Sequence, residues 1–366
     1  MAPTREIRWG ILATGAISVT FTKDLLLDPS ARGVNNIRHT IVAATSSSSS
    51  TRAEMILKDV GAPAAAKAYG TYEELVRDPN VEIVYVATPH SHHFQNVMLC
   101  LDAGKHVLCE KAFTVNASQA RLLVDKARVK NCFLMEALWT RYFPLADYVY
   151  GIIRSGRLGT IHRVFSDCSV ILSPETSYND GQHRMVNPAL AGGALLDLGV
   201  YSLTWPFFTF YRDQPSQEQP RVVSSMKKLY ASAGGDAHAI ATTSIRVGNL
   251  ANEQNPQASV RIQGELGELQ LFPTAHNPKS TKLILADGTV EEKEWPKPGP
   301  GKGSGWYNGF LHHMNPDGEG QGMFWEADEA AFAILEGRKE GKNLNLMESV
   351  AILEVLDEVR RQGGLA

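Results

Sequence analysis

Cysteine is scarce in this sequence, with four in 366 residues, and Cys100, Cys109, Cys132 and Cys168 show no C-x-x-C spacing. That pattern suggests neither a zinc site nor a redox pair and fits the reduced thiols of a cytoplasmic protein. Long apolar runs are missing as well. None approaches the roughly 20 residues of a membrane span, and the polar residues 1–8 lead directly into a strand, without a signal-peptide core. Charge of one sign is in short supply, since 36 Lys and Arg face 39 Asp and Glu for a net charge of −3. Such a balance gives no electrostatic reason to expect nucleic acid or an acidic membrane as partner. What is present, 43% hydrophobic and 20% charged residues, is the make-up of a globular chain with length for two domains.

Two absences bear on a nucleotide site. Residues 7–13 read as a buried strand, and Thr14-Gly15-Ala16-Ile17-Ser18 as the turn into a helix. Against the dinucleotide fingerprint G-x-G-x-x-G/A the aligned residues are Ala13, Gly15 and Ser18, so only the middle glycine, which lets backbone approach a pyrophosphate, is kept. The order of strand, tight turn and helix is the required one, and a helix start presents free N–H groups to phosphates. Thr14, Gly15, Ala16 and Ile17 are therefore candidate cofactor contacts. The second strand, residues 39–44, lacks the Asp or Glu that accepts from a ribose 2′-hydroxyl in an NAD site and runs instead through Thr45 and Ser46 to Ser50 into Thr51 and Arg52. Hydroxyls such as those of Ser46 and Ser47, with the Arg52 guanidinium, suit a 2′-phosphate, so NADP is preferred over NAD. The alternative reading of the serine run is a flexible linker.

Helical patterns over residues 52–60, 72–76, 94–103 and 117–130 alternate with strand patterns over 81–87, 107–109 and 132–137. The alternation predicts an α/β Rossmann domain, a doubly wound parallel sheet, over residues 1–137. From 138 the character changes. After a helix at 145–155 come strand patterns at 161–171, 222–229, 239–247, 259–262, 269–272 and 282–285, with little helix between them. These predict an α+β domain with a largely antiparallel sheet over residues 138–366, closed by helices near 324–336 and 346–361. Residues 297–322 form a Gly/Pro-rich stretch with Trp306, Tyr307, Phe310, His312 and His313, read as a lid or interface loop.

Chemistry-bearing residues gather at three places. Thr88-Pro89 breaks a strand exit, and His90, His92 and His93 follow. They lack the i, i+4 spacing and the carboxylate of a helical metal site, so no metal is expected, and a helix N-terminus beside the cofactor is the better role. Glu110-Lys111 stands at the exit of the 107–109 strand, where ligands collect in an open α/β sheet; a solvated surface lysine is the bland alternative. In the stretch Gly192-Gly193-Ala194-Leu195-Leu196-Asp197-Leu198-Gly199-Val200-Tyr201, Asp197 and Tyr201 are i, i+4 apart and share a helical face. The leading glycines let that helix approach another backbone closely; a buried helix with one tyrosine at the core edge is the plain alternative. A tyrosine with a nearby lysine can act as general acid/base, because an ammonium lowers a phenol's pKa.

In this order, Gly10-Ile11-Leu12 with Gly15, Ala87-Thr88-Pro89 with His93, Ala103-Gly104-Lys105-His106-Val107 with Glu110-Lys111, and Gly192-Gly193 through Asp197 to Tyr201 resemble the glucose–fructose oxidoreductase/inositol dehydrogenase/rhizopine-catabolism superfamily. Gly322-Met323-Phe324-Trp325-Glu326-Ala327-Asp328-Glu329 and Leu356-Asp357-Glu358-Val359-Arg360 match its closing helices, so the resemblance spans nearly the whole chain. Met135 to Pro144 is similar to the branch of dimeric dihydrodiol dehydrogenases and NADP-dependent D-xylose 1-dehydrogenases, the fungal ones above all. The resemblance implies a Rossmann domain followed by an open-faced sheet, homodimers paired through those sheets, and Lys111 and Tyr201 as catalytic residues with Asp197 close to nicotinamide and substrate. It also implies Trp139, Arg141, Phe143 and Arg184 as residues shaping the substrate pocket, and Glu110 with Lys111 at the cofactor. Where the family has Glu-Lys-Pro, this chain has Glu110-Lys111-Ala112, which removes a rigid turn and keeps both charged groups.

The activity implied is oxidation of a cyclic sugar at its anomeric carbon, with hydride passing to NADP+ and a lactone as product. Oxidation of a trans-dihydrodiol to a catechol is the alternative within the same chemistry, because Trp139, Tyr142 and Phe143 suit a planar ring as readily as a sugar face. A non-catalytic NADP-binding sensor on the same scaffold is the alternative outside it, and the joint presence of Lys111, Asp197 and Tyr201 speaks against it.

Overall fold

The computed structural model describes residues 4–214, 217–218, 220–222, 230–232, 235–248, 257–307 and 317–364. They form two compact units. One comprises Met1–Thr114, Ser118–Trp139 and Pro296–Leu346; the other comprises Val115–Ala117, Thr140–Trp295 and Met347–Ala366. The sequence division assigns Pro296–Leu346 to the second domain, whereas its packing groups it with the first unit.

The first unit is built on six parallel strands: β1 (Arg5–Leu12), β2 (Ile37–Thr45), β3 (Lys67–Tyr69), β4 (Ile83–Val86), β5 (His106–Glu110) and β6 (Leu134–Ala137), in the order β3-β2-β1-β4-β5-β6. This is the doubly wound order, with its switch point between β1 and β4. The intervening helices are α1 (Ala16–Leu25), α2 (Ser50–Asp59), α3 (Tyr72–Arg77), α4 (His90–Asp102) and α5 (Ala117–Lys130). β4 to β6 are mostly apolar because both sheet faces are covered, and every residue of β4 and β6 is buried. Thr71 and Glu74 close a capping box on α3, as Thr71 as helix cap predicts. The sequence pattern leaves Lys67–Tyr69 in a loop; with three residues it is too short to show a period.

The helix Met323–Leu335 also belongs to this unit and packs on α1. Buried polar groups fasten it. The Asp24 carboxylate accepts from the backbone N–H groups of Gln321, Gly322 and Met323 at 3.0, 2.8 and 2.9 Å, capping the helix start from α1. Burial nevertheless pushes Asp24 up to about 6 against those three donors. Further along, Arg32 donates to both oxygens of Asp328 (2.6 and 2.8 Å), and His39 Nε2 lies 2.9 Å from Oδ1. Trp9 Nε1 donates to His39 Nδ1 at 3.0 Å, which makes Nε2 the protonated nitrogen and the donor to Asp328. The flanks of the 297–322 stretch run together backbone to backbone, with Gly301 N donating to Gly318 O and Gly320 N to Pro298 O. A Cβ on Gly299 would fall 2.0 Å from Gly318 O, so only glycine fits there. Phe310, His312 and His313 lie outside the described residues; Tyr307 has the Lys23 ammonium over its ring at 4.7 Å.

The second unit carries seven strands: β7 (Ile161–Ser169), β8 (Tyr230–Ser232), β9 (Gly235–Ser244), β10 (Val260–Gly264), β11 (Gly267–Phe272), β12 (Ser280–Leu285) and β13 (Val290–Glu294), in the order β13-β12-β11-β10-β7-β9-β8. All pairs are antiparallel except β7 with β9. That parallel pair exists because the chain crosses over between its strands, through the helix Val200–Pro206 that packs on both. Val164, Ser166, Cys168, Val260, Ile262, Leu269, Leu271 and Leu283 point to the covered face, while Arg163, Arg261 and Glu268 stand on the other, where Arg261 pairs with Glu268 at 2.7 Å. The strand pattern at 222–229 lies outside the described residues from 223 onward. β13, with the sequence VEEKE and fully exposed, has no apolar alternation to read; its charges guard a sheet edge.

Arg32 and Asp328 are 2% and 6% exposed, so truncating one strands a buried charge. Asp328→Ala is expected to cost on the order of 3–5 kcal/mol of stability in denaturant unfolding; a loss near zero would show that the pair is not holding this helix.

Candidate functional site

The carboxyl ends of β1, β2, β4 and β5 deliver the first group of candidates. Beyond β1, Ala13 adopts φ 99°, so the tight turn for which the fingerprint uses its first glycine is made here by alanine in the left-handed region. Gly15 then forms the N-cap of α1 in an extended conformation, no side chain caps the helix, and a Cβ at Gly15 would meet nothing within 4 Å. The start of α1 thus presents uncapped N–H groups through an open surface at Thr14, Gly15, Ala16 and Ile17. Beyond β2, Ser46 is buried with its hydroxyl 3.1 Å from that of Ser48, and Ser47 and Arg52 are exposed. Ser49 caps α2 with no side-chain hydrogen bond, and the first turn of α2 holds no acidic residue. Arg52 makes no ion pair among the described residues, so a free guanidinium, open hydroxyls and a helix start coincide, with no acidic residue in that helix's first turn. These residues fit a dinucleotide with a 2′-phosphate.

At β4 and β5 the structure ties two strand exits to each other. His93 Nε2 lies 2.7 Å from Thr88 O and Nδ1 2.9 Å from Ala112 O; His90 Nε2 lies 3.2 Å from Lys111 O. Burial pushes His93 down to about 4, against the two carbonyls that favour its charged form. Both ring nitrogens face backbone carbonyls, and the neutral ring donates to one of them, so the part left to His93 is to brace the loop rather than to hydrogen-bond a ligand itself. Pro89 is the N-cap of α4, and Asn96 donates to the Thr88 hydroxyl at 3.1 Å. Glu110 accepts from the Tyr85 hydroxyl on one oxygen and from the Lys111 backbone N–H on the other at 3.2 Å. Lys111 itself is half-buried, and its peptide bond to Ala112 is cis. Where the resemblance leads one to expect a proline, two imidazoles grip the carbonyls on either side of this bond. Among the described residues, no three His, Cys, Asp or Glu side chains are grouped as a metal ion needs.

The second unit assembles its own set. The expected regular helix from 192 is replaced by a π-turn, Leu195–Gly199, that runs into the helix Val200–Pro206. Asp197 lies within this i→i+5 turn and Tyr201 near the start of the helix that follows, and such turns recur at functional sites. The close approach expected of the glycines is present at Gly192, where a Cβ would lie 2.6 Å from Arg184 O. That approach brings the Arg184 loop alongside, and Arg184 Nη1 pairs with Asp197 Oδ1 at 3.1 Å with the Arg184 side chain 54% exposed. Tyr201 packs its ring against His276, centroids 5.4 Å apart. His276 is held in turn by the Thr274 hydroxyl at 2.9 Å and faces Cys168 Sγ at 3.5 Å. Sequence reasoning did not single out His276, since a lone histidine in a polar loop carries no signal until the fold brings it to the tyrosine.

Arg141 has a different task from the pocket role expected of it. Its guanidinium pairs with Glu348 at 2.8 Å, both side chains 1% exposed, reaches Thr204 Oγ1 at 3.3 Å and lies over the Phe208 ring. With no surface to offer a ligand, it anchors the turn Trp139–Tyr142 to the helix Val200–Pro206 and to the C-terminal helix Leu346–Gln362. Phe143 is buried as the N-cap of the helix Pro144–Arg154, and Trp139 is buried at the start of that turn.

Residues 7–138 match the model of the oxidoreductase family with an NAD-binding Rossmann fold. A D-xylose 1-dehydrogenase (NADP(+)) of Hypocrea jecorina is 47% identical, the alignment covering 98% of this chain and 92% of that protein. A trans-1,2-dihydrobenzene-1,2-diol dehydrogenase of Bos taurus is 34% identical over 98% of this chain and 97% of its own. Among solved structures, an aldose-aldose oxidoreductase from Caulobacter crescentus superposes with a TM-score of 0.71 at 20% identity, covering 98% of both chains. A levoglucosan dehydrogenase in complex with NADH and levoglucosan does so with 0.75 at 15% identity, again over 98% of both, which speaks to the fold. Full-length likeness of this kind, on a doubly wound sheet with an open helix start at its switch point, means that the chain belongs to the glucose–fructose oxidoreductase/inositol dehydrogenase/rhizopine-catabolism family of oxidoreductases.

Proposed function

We propose that the protein is an NADP-dependent dehydrogenase that oxidises the anomeric C1 hydroxyl of a pyranose, D-xylose first among aldoses, to the lactone. The observation that carries this reading is the 47% identity, along nearly the whole chain, to an enzyme named for that substrate and cofactor. The surroundings of Arg52 support the cofactor independently. Bound NADP+ supplies the hydride acceptor. Tyr201 takes the C1 hydroxyl proton at its phenol oxygen, Lys111 hydrogen-bonds the reacting oxygen as charge develops there, and Asp197, oriented by Arg184, positions the sugar. Glu110 serves the site by holding the Lys111 backbone.

Oxidation of a trans-dihydrodiol is the second reading, favoured by the 34% identity to enzymes named for it. Initial rates with NADP+ on D-xylose, D-glucose and a trans-dihydrodiol separate the two; the aldose reading requires D-xylose to have the highest kcat/KM, and preference for the diol would replace it. The same reading includes a homodimer paired through the sheet face that carries Arg163, Arg261 and Glu268, and a cytoplasmic location. The four cysteines are free and buried, and no helix among the described residues is long and apolar enough to cross a membrane.

Arg52→Ala is expected to raise KM for NADP+ by on the order of 10- to 100-fold, the worth of a charge-assisted hydrogen bond to phosphate, and to leave KM for NAD+ nearly as it was. An equal change for both cofactors would remove Arg52 from the 2′-phosphate. Lys111→Met is expected to lower kcat by about 10²–10⁴-fold with NADP+ affinity, read by fluorescence titration, changed only a few-fold. Near-full turnover in that variant would end the role assigned to Lys111.

A further inference from the structure

Among the buried ionisable groups that the proposed chemistry does not use, Glu326 is the anomaly. It sits in the first turn of the helix Met323–Leu335, is 0% exposed, and neither carboxyl oxygen has a hydrogen-bonding partner among the described residues. Its charge would be felt by three other acids: Glu110 from the end of β5, Asp24 from α1 and Glu136 from β6. Those three have donors. Asp24 takes three backbone N–H groups, Glu136 takes that of Phe113 at 3.0 Å, and Glu110 takes the Tyr85 hydroxyl and the Lys111 N–H. Glu326 alone would be a charge without solvent, donor or cation. Burial, then Glu110, Asp24 and Glu136, push its carboxyl well above the usual range.

We propose that Glu326 is a positioning residue for Lys111: held as a neutral acid, it leaves Glu110 to accept at both oxygens, and Glu110 in turn holds the Lys111 backbone. The inference rests on the reading of Lys111 as the residue at the reacting oxygen. A carboxyl that accepts on both oxygens works as a carboxylate, and two desolvated carboxylates side by side repel. Deprotonating Glu326 therefore works against the exit of β5. The sign follows from linkage: the folded protein holds this proton to higher pH than the unfolded chain does. The stability it contributes is thus complete below the ordinary carboxyl range and is lost as pH rises through the folded value. Turnover declines with it at the alkaline end.

The experiment uses the full-length protein and two readouts. In infrared difference spectra at neutral pH, the wild type is expected to show a protonated-carboxyl C=O band that Glu326→Gln lacks and that alkaline titration removes. In steady-state assays, Glu326→Ala is expected to lower kcat by on the order of 10- to 100-fold, the scale of a misplaced catalytic group, with KM for NADP+ within about twofold. Glu326→Gln, a neutral isostere, is expected to recover kcat and to lose the alkaline decline of the wild type. Absence of the band, equal impairment of the Gln and Ala variants, or an unchanged alkaline limb in the Gln variant overturns the inference. The parent reading is decided by Lys111→Met. Turnover in that variant with the band present would end the Lys111 assignment and the purpose given to Glu326, whereas a missing band with an inactive Lys111→Met ends only the inference drawn here.

Discussion

A parallel sheet covered on both faces leaves only its strand ends for chemistry, and the first unit is arranged by that constraint. Its strand interiors are apolar because each residue meets a helix on one side or the other. Polar residues that touch no ladder accumulate just past the last paired residue: Thr14 after β1, Ser46 after β2, Thr88 after β4 and Lys111 after β5. Short connections then place helix starts there, and a start with no side-chain cap leaves its N–H groups to water or an anion. At α1 and α2 the side chain is missing.

Burying acids is the second problem this chain solves, and it does so in three ways around one helix. Asp328 is neutralised by Arg32 and His39, and Asp24 is satisfied by the backbone donors at the helix start. Glu326 has neither and is relieved by protonation instead. The second unit repeats the first solution with Arg141 and Glu348. Pairs like these bring little net stability over a well-packed apolar core, but removing one partner is costly, so they fix which helix lies where.

Much of this was legible before any coordinates. Strand, turn and helix periods locate β1, β2, α1 and α2, and the Ser46–Arg52 stretch is set apart by what it lacks, a carboxylate. Lys111 is legible as the residue after a buried strand, and Gly192 as a point of close backbone approach. Other features carry no local trace. Glu348 is far in sequence from Arg141, and nothing near Arg141 distinguishes an arginine meant for a carboxylate in the core from one meant for a ligand. His276 acquires meaning only against Tyr201. The π-turn at Leu195–Gly199 leaves the same apolar pattern as an ordinary helix.

The sequence by itself determined the layers, the parallel sheet, the cofactor class and the residues able to do the chemistry, because periodicity, turn residues and charge are properties of neighbours along the chain. Tertiary structure decided which of those residues are spent on architecture. His93 braces two strand exits, Arg141 is consumed by Glu348, and Glu326 is surrounded by acids from three other elements. Solvation and pairing depend on groups far apart in sequence, and a side chain's protonation and availability follow from them.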